Sequence, residues 1–228
     1  MGLISNNIKA SQLKPGDHIY SYRRAHTYSH HGIYVGENRV IHFTRTKIET
    51  SKKLSIIRRI YPRKPCEECN YNLSTDKGVV KTCLNCFLKK HRLFRFKYNV
   101  SMACCLVKKS GSCSTSSPFT PEKVIQRATE MFERTGKLGF GDYHPIENNC
   151  ESFVFYCTTS SRKSMQGNSF KALVEAVYQT TTDGEHDSIK AIGVSIVKKF
   201  FKNKAQMIND DQREKGEITD QEEEEEEE

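Results

Sequence analysis

The sequence predicts an α+β fold in which an antiparallel sheet packs against helices. Three observations carry that expectation. Residues 17–44 alternate in the manner of half-buried strands, Phe94 to Val100 alternates again, and from Thr120 onward apolar residues recur at helical spacing behind good capping residues. At 228 residues and 36% hydrophobic, with mean hydropathy −0.67 and 28% charged residues, the chain can build one core under much solvated surface.

The opening strands are Asp17 to Arg24, Ser29 to Val35 and Arg39 to Thr44, with turn chemistry at Gly36-Glu37-Asn38. A three-residue loop would pair Val35 with Arg39, set Ile33 against Ile41 and His31 against Phe43, and gather the apolar residues on one face. His42 then lies opposite Gly32 on the other face, diagonal to His30 and within its reach. His31 falls on the apolar face, away from any site the other two would form.

The next feature is Cys66-Glu67-Glu68-Cys69 and, after thirteen residues, Cys83-Leu84-Asn85-Cys86. Two such pairs are the usual ligand set of a tetrahedral structural zinc, and so polar a stretch, flanked by Pro62 and Pro65, has little core to hold it otherwise. The knuckle should span about 62–90 and interrupt a domain running from 1 to 157. Four thiolates would close the metal's shell, leaving it no part in catalysis.

Phe94 to Val100 reads as a strand with a basic outer face, and Met102 to Val107, with Cys104 and Cys105, as core. Cys113 sits in a Ser/Thr-rich loop. Thr120-Pro121-Glu122 opens a helix that Gly136 stops. Thr158 to Ser169 reads as loop, Phe170 to Tyr178 as a short helix, and Thr180 to Asp187 as a linker. Residues 188–205 form a basic amphipathic helix with Ile189, Ile192, Ile196, Val197, Phe200 and Phe201 among lysines. The acidic tail, 206–228, should be disordered. The formal charge is +8, and since Glu217 to Glu228 holds nine acidic and no basic residues, the preceding 216 residues carry +17. A body so basic suits an anionic surface, membrane or nucleic acid.

Asn149-Cys150-Glu151 is the chemically most informative motif. Asn148 and Asn149 precede the apolar run Phe153 to Cys157, and Asn is a preferred N-cap, so Cys150 should occupy the first turn of a helix. There the free N–H groups and the helix dipole favour a thiolate and, later, an oxyanion. With His30 and His42 upstream, the chain holds a candidate nucleophile, base and orienting group. A lone Cys or strand His is more often plain packing; the joint occurrence is what points to a site.

Pro15-Gly16-Asp17, His30-His31-Gly32-Ile33-Tyr34-Val35-Gly36, Val40-Ile41-His42 and Asn149-Cys150-Glu151-Ser152-Phe153-Val154 resemble, in content and order, the motifs of the lecithin:retinol acyltransferase (NC) domain, in its plant-type branch with an inserted knuckle. The resemblance implies a circularly permuted papain-like (NlpC-type) fold, with Cys150 as nucleophile, His30 as catalytic histidine and His42 as orienter. Tyr143 and Asn149 would support them. Ser152 departs from the His usual in animal members.

The same resemblance implies transfer of a fatty acyl group from a glycerophospholipid through a thioester on Cys150, to an acceptor or to water. Two other classes remain open: a cysteine peptidase or amidase of the same superfamily, and an idle site on a zinc-containing binding module. The implied partners are phospholipid substrate and an anionic membrane surface, with nucleic acid not favoured. No signal peptide and no run of roughly 20 apolar residues is visible, so the expected location is intracellular, cytoplasmic or peripheral to a membrane.

Overall fold

The computed structural model describes residues 6–23, 27–46, 64–134, 139–162, 165–183 and 189–226. Five strands form one antiparallel sheet: β1 (His18–Arg23), β2 (Tyr28–Gly36), β3 (Arg39–Phe43), β4 (Val79–Cys83) and β5 (Phe94–Arg95), in the order β4-β3-β2-β1-β5. The helices are α1 (Leu84–Leu88), α2 (Met102–Val107), α3 (Pro121–Glu133), α4 (Cys150–Thr159), α5 (Met165–Asp183) and α6 (Ile189–Glu226). The architecture is the α+β class expected.

Helices α3 and α4 cover one face of the sheet. Ile33, Ile41 and Phe43 meet Val124, Ala128 and Met131 of α3 and Phe153, Val154 and Cys157 of α4. The other face carries Ile19 and Val40, closed by Leu84 and Phe87 of α1 and by Leu93. A further cluster joins Tyr20, Phe96, Cys105, Cys113 and Phe155 to Ile208 of α6. Gly16 has φ +88°, and a Cβ there would lie 2.7 Å from the Pro121 side chain, so the loop before β1 presses directly on the start of α3.

The hairpin corrects the predicted turn while keeping its consequence. Its loop has two residues, Glu37 and Asn38, both at positive φ, and Gly36 rather than Val35 pairs with Arg39. An irregularity between Tyr34 and Gly36 absorbs the odd residue, so Ile33 still faces Ile41. Parity, and with it the shared face of His30 and His42, survives because the apolar face must stay buried.

Other elements differ from expectation. β4 lies within the stretch assigned to the knuckle. Only Phe94 and Arg95 of the predicted strand Phe94 to Val100 pair in the sheet. Beyond them Lys97, Asn99 and Val100 bond the main chain of Ser112, Ser116 and Ser114, and Asn99 takes a positive φ. Met102 to Val107 is a helix of which only Cys105 is buried; Val107 is 82% exposed. Thr120 caps α3 as expected, while Gly136 lies outside the described residues. The short helix is part of a longer 19-residue helix, α5, which takes in residues 165–169 of the expected loop. The predicted linker is helical to Asp183, and residues 184–188 lie outside the description. Where a disordered acidic end was expected, α6 runs on to Glu226, consistent with the helix propensity of Glu, Gln and Lys.

Candidate active site

Asn149 caps α4 as its sequence position suggests. Its side-chain oxygen accepts from the N–H of Glu151 at 2.9 Å and of Ser152 at 3.1 Å, and its own N–H donates to Ser152 Oγ at 3.3 Å. Ser152, the departure from the animal pattern, is therefore the reciprocal half of the capping box. Cys150 follows, buried, with its thiol donating to the main-chain oxygen of Ser29 at 3.8 Å. The Tyr143 side chain faces this thiol, and its ring packs 5.3 Å from that of Phe43.

On the opposite face His30 Nε2 and His42 Nδ1 are 3.0 Å apart, and His42 Nε2 lies 3.1 Å from Thr82 Oγ1. Proton counting orders this row. One ordering satisfies every contact in it: the Thr82 hydroxyl donates to the Cys83 carbonyl at 3.2 Å and its oxygen accepts from His42 Nε2–H. Burial holds both imidazoles neutral: it lowers His42 to about 3, and together with His42 and Arg23 it lowers His30 well below 6.5. In that ordering His42 Nδ1 is an acceptor, His30 Nε2–H its donor, and His30 Nδ1 carries the lone pair, with no partner among the described residues. That is the tautomer a general base needs.

The Cys150 sulfur meets the main chain on either side of His30. Among the described residues no direct hydrogen bond joins the sulfur to an imidazole. The sulfur instead meets the main chain of the two residues flanking His30, the carbonyl of Ser29 and the N–H of His31. These groups point along the direction that β3 would occupy past Phe43, so the start of α4 takes the place of a missing strand partner. Burial pushes the Cys150 thiol up to about 11, the Glu151 carboxylate adds to the rise, and the N–H groups of His31, Cys150 and Glu151 oppose it. The lowered thiol pKa expected from the helix N-terminus is thus outweighed by desolvation, which favours the neutral thiol.

Three supporting residues escaped the sequence reading. Phe87 of α1 lies 5.4 Å, centroid to centroid, from both His30 and His42. Arg23 is buried, donates to Ser21 Oγ and to the carbonyls of Phe87 and Leu88, and places a positive charge near both His30 and Cys150. Thr82 terminates the histidine row. Only the β3–β4 pairing, which sets His42 against Val80, brings Thr82 there, and no local pattern announces it.

Gly32 is the hinge of this packing. A Cβ on it would lie 2.6 Å from Val40 Cγ1, 2.9 Å from the Phe87 ring and 3.2 Å from His42 Cβ. Gly32→Ala is expected to cost about 1–3 kcal/mol of stability by overpacking and to displace His42; a denaturant midpoint equal to wild type would refute this.

The four knuckle cysteines converge. Their sulfurs all lie within 4.8 Å of one another, Cys66 and Cys83 at 3.9 Å and Cys69 and Cys86 at 3.8 Å. Zn–S bonds of about 2.3 Å in a tetrahedron place sulfurs about 3.8 Å apart, so the donor set fits that ion. Glu68 ties the knuckle to the hairpin, its carbonyl accepting from Arg39 at 2.9 Å and its carboxylate from Asn38 at 2.5 Å.

A model of the family described as lecithin retinol acyltransferase matches residues 11–163, more than half of the chain. The chain belongs to the lecithin retinol acyltransferase family. Protein LEAD-SENSITIVE 1 of Arabidopsis thaliana is 45% identical over 166 residues, covering 70% of this chain and 62% of that protein. Lecithin retinol acyltransferase of Mus musculus is 28% identical over 175 residues (73% and 63%), and that of Rattus norvegicus 28% over 165 residues (69% and 59%). The chain thus spans about six-tenths of the length of the curated relatives it matches. The matched family region contains His30, His42, Cys150 and the four-cysteine cluster, and ends before α5 and α6. Among the described residues no helix of this family member is long and apolar enough to cross a membrane.

The histidines make acid stability measurable. His18, His30, His31 and His42 are all held neutral by burial, His31 and His42 down to about 3. Folded pKa values lie below the unfolded value near 6.5, so the unfolded chain takes up protons the fold refuses. The stabilisation is complete above pH 6.5 and declines from there toward pH 3. The urea midpoint should be lower at pH 5 than at pH 7; equal midpoints would contradict the buried, neutral assignment.

Proposed function

We propose that this chain is a thiol-dependent acyltransferase or phospholipase-type acyl hydrolase acting on glycerophospholipid esters. Cys150 is the nucleophile, His30 the base and His42 its orienter, on a permuted papain-like scaffold whose histidine strands precede the cysteine helix. The observation that supports this is the Thr82–His42–His30 row of hydrogen-bond contacts, with His30 on the strand whose main chain meets the Cys150 sulfur.

In the first half-reaction His30 Nδ1 takes the thiol proton as sulfur bonds to the ester carbonyl carbon, and the carbonyl electron pair moves onto oxygen. The N–H groups at the start of α4 stabilise that oxyanion. The C–O bond to glycerol then breaks, His30 returns its proton to the leaving oxygen, and a lysophospholipid departs from the Cys150 thioester. The buried Arg23 favours the transient thiolate. An alcohol, amine or water, deprotonated by His30, resolves the thioester in the mirrored second half.

The four cysteines hold a structural zinc in this reading; its closed sulfur shell stabilises the knuckle and supplies no reacting group. An anionic bilayer is the surface on which substrate is met. On α5, Phe170, Val174, Val177 and Tyr178 stand 41–64% exposed at helical spacing, and on α6 Val194, Val197 and Phe201 are exposed between Lys198, Lys199 and Lys202. Sedimentation with phosphatidylserine vesicles should retain the chain at low salt and release it as salt rises; equal retention on uncharged vesicles would remove the charge argument.

The deciding experiment incubates the protein with a phospholipid carrying a labelled acyl chain and reads intact mass. A covalent acyl adduct that neutral hydroxylamine removes supports the thioester. Cleavage of peptide or amide substrates with no adduct from phospholipid would replace this reading with the amidase one, and inertness toward both would leave a binding module.

A further inference from the structure

The sheet face away from the His30–His42 pair carries a second, unbroken polar row. The Tyr98 hydroxyl lies 2.8 Å from His18 Nδ1, His18 Nε2 lies 2.8 Å from His31 Nδ1, and His31 Nε2 lies 2.9 Å from Ser29 Oγ. His18, His31 and Ser29 are buried, and the rings sit in an aromatic cage: Phe96 stacks on His18 at 4.2 Å and Tyr20 on His31 at 5.5 Å. Burial lowers both imidazoles, so each is neutral with one donor and one acceptor nitrogen. In a row of neutral imidazoles the direction of one bond sets the next, and the row moves as a unit.

Apolar packing alone does not call for such a row, since two buried imidazoles carry a desolvation cost that aliphatic residues avoid. Nor does the proposed reaction use it. What the row grips is Ser29 and His31, the two neighbours of His30, and it is the main chain of these same two residues that meets the Cys150 sulfur. The thiol donates to the Ser29 carbonyl at 3.8 Å, and the His31 N–H points at the sulfur. When the thiol gives up its proton, that carbonyl loses its donor while the His31 N–H gains a better acceptor.

We propose that the Tyr98–His18–His31–Ser29 row is a positioning device, which pins residues 29–31 of β2 so that their main chain holds the Cys150 sulfur, and with it His30, at one fixed separation. Its catalytic meaning rests on Cys150 being the nucleophile; its effect on the sulfur does not. His31 and His18 are positioning residues that touch no reacting atom. Arg23 of β1, Glu151 of α4 and Tyr143 of the preceding loop also face the sulfur, and the substitutions below leave them in place.

The test follows iodoacetamide alkylation of Cys150 in the full chain, resolved by peptide mass, between pH 6 and 11. No acyl substrate is involved, so a failure to form an acyl adduct elsewhere would leave this measurement intact. In His31→Phe and His18→Phe the Cys150 alkylation rate at each pH below 10 should fall about threefold, the loss of thiolate that an upward shift of half a pH unit makes. His31→Gln, which keeps a donor toward Ser29 Oγ, should recover most of the shift. Cys157, on the same helix but outside the row, is the internal control and should not move. Should either Phe variant fail to fold cooperatively, Tyr98→Phe removes one hydroxyl from the end of the row while keeping the ring. A Cys150 profile identical to wild type in the folded variants, or an equal shift at Cys157, overturns the proposal.

Discussion

Cys150→Ala should reduce acyl transfer to the uncatalysed background, and His30→Ala should lower kcat by about two to four orders of magnitude. The two losses have different causes. Alanine at 150 removes the atom that forms the bond, so no acyl adduct can accumulate. Alanine at 30 leaves the nucleophile but strands it as a neutral thiol, because burial holds its pKa near 11. Free alkali should then partly replace the base, and the His30→Ala rate should climb with pH toward 11. The wild-type rate should be nearly flat from pH 7 to 9, since both partners are neutral throughout that range. A wild-type rate that rises tenfold per pH unit across that range would mean that His30 does not take the proton.

If the four-cysteine knuckle holds the proposed zinc, stripping it should lower both the thermal midpoint and the activity, although the ion would touch no reacting atom. Cys83 ends β4 and accepts from the Cys86 N–H at 3.4 Å at the start of α1, and Phe87 follows immediately to lie over His30 and His42. The carbonyls of Phe87 and Leu88 also anchor Arg23. Helix α1 has five residues, too few to persist without outside support. Removing the ion releases four thiols, frees this turn, and exposes the histidine row to water. The expected readouts are one bound zinc per chain by native mass, a Tm lowered by several degrees on chelation, and faster amide exchange over residues 84–88. A stripped chain with unchanged Tm and unchanged exchange there would show that packing alone holds the knuckle.

These predictions depend differently on what could be read beforehand. The helix start at Asn149, the shared face of His30 and His42, and the paired cysteines follow from neighbours within a few positions, where caps, alternation and spacing operate. Even so, the hairpin reached the expected register by another route, a two-residue turn with a compensating irregularity, because burying Ile33 and Ile41 constrains parity more tightly than loop length. The alternation of Phe94 to Val100 was correctly inward and outward, yet only two residues pair in the sheet, since the following segment bonds to the loop around Ser114 instead.

His31 shows the limit most plainly. Its place on the apolar face was legible; that it would bond His18, thirteen residues upstream, and lend its main-chain N–H to Cys150 was not. The same holds for Thr82 and Phe87, which reach the histidines only because β4 pairs with β3 and α1 folds back over it.

The chain's own order of residues determined its class, its candidate nucleophile, the histidine pair and the four paired cysteines, because each is a matter of residue type and short-range period. Only the tertiary structure decided the burial of the site, the partners of the His30–His42 row and the contacts that hold the sulfur. Those depend on desolvation and on hydrogen bonds between segments tens of residues apart, and neither is encoded at any one position along the chain.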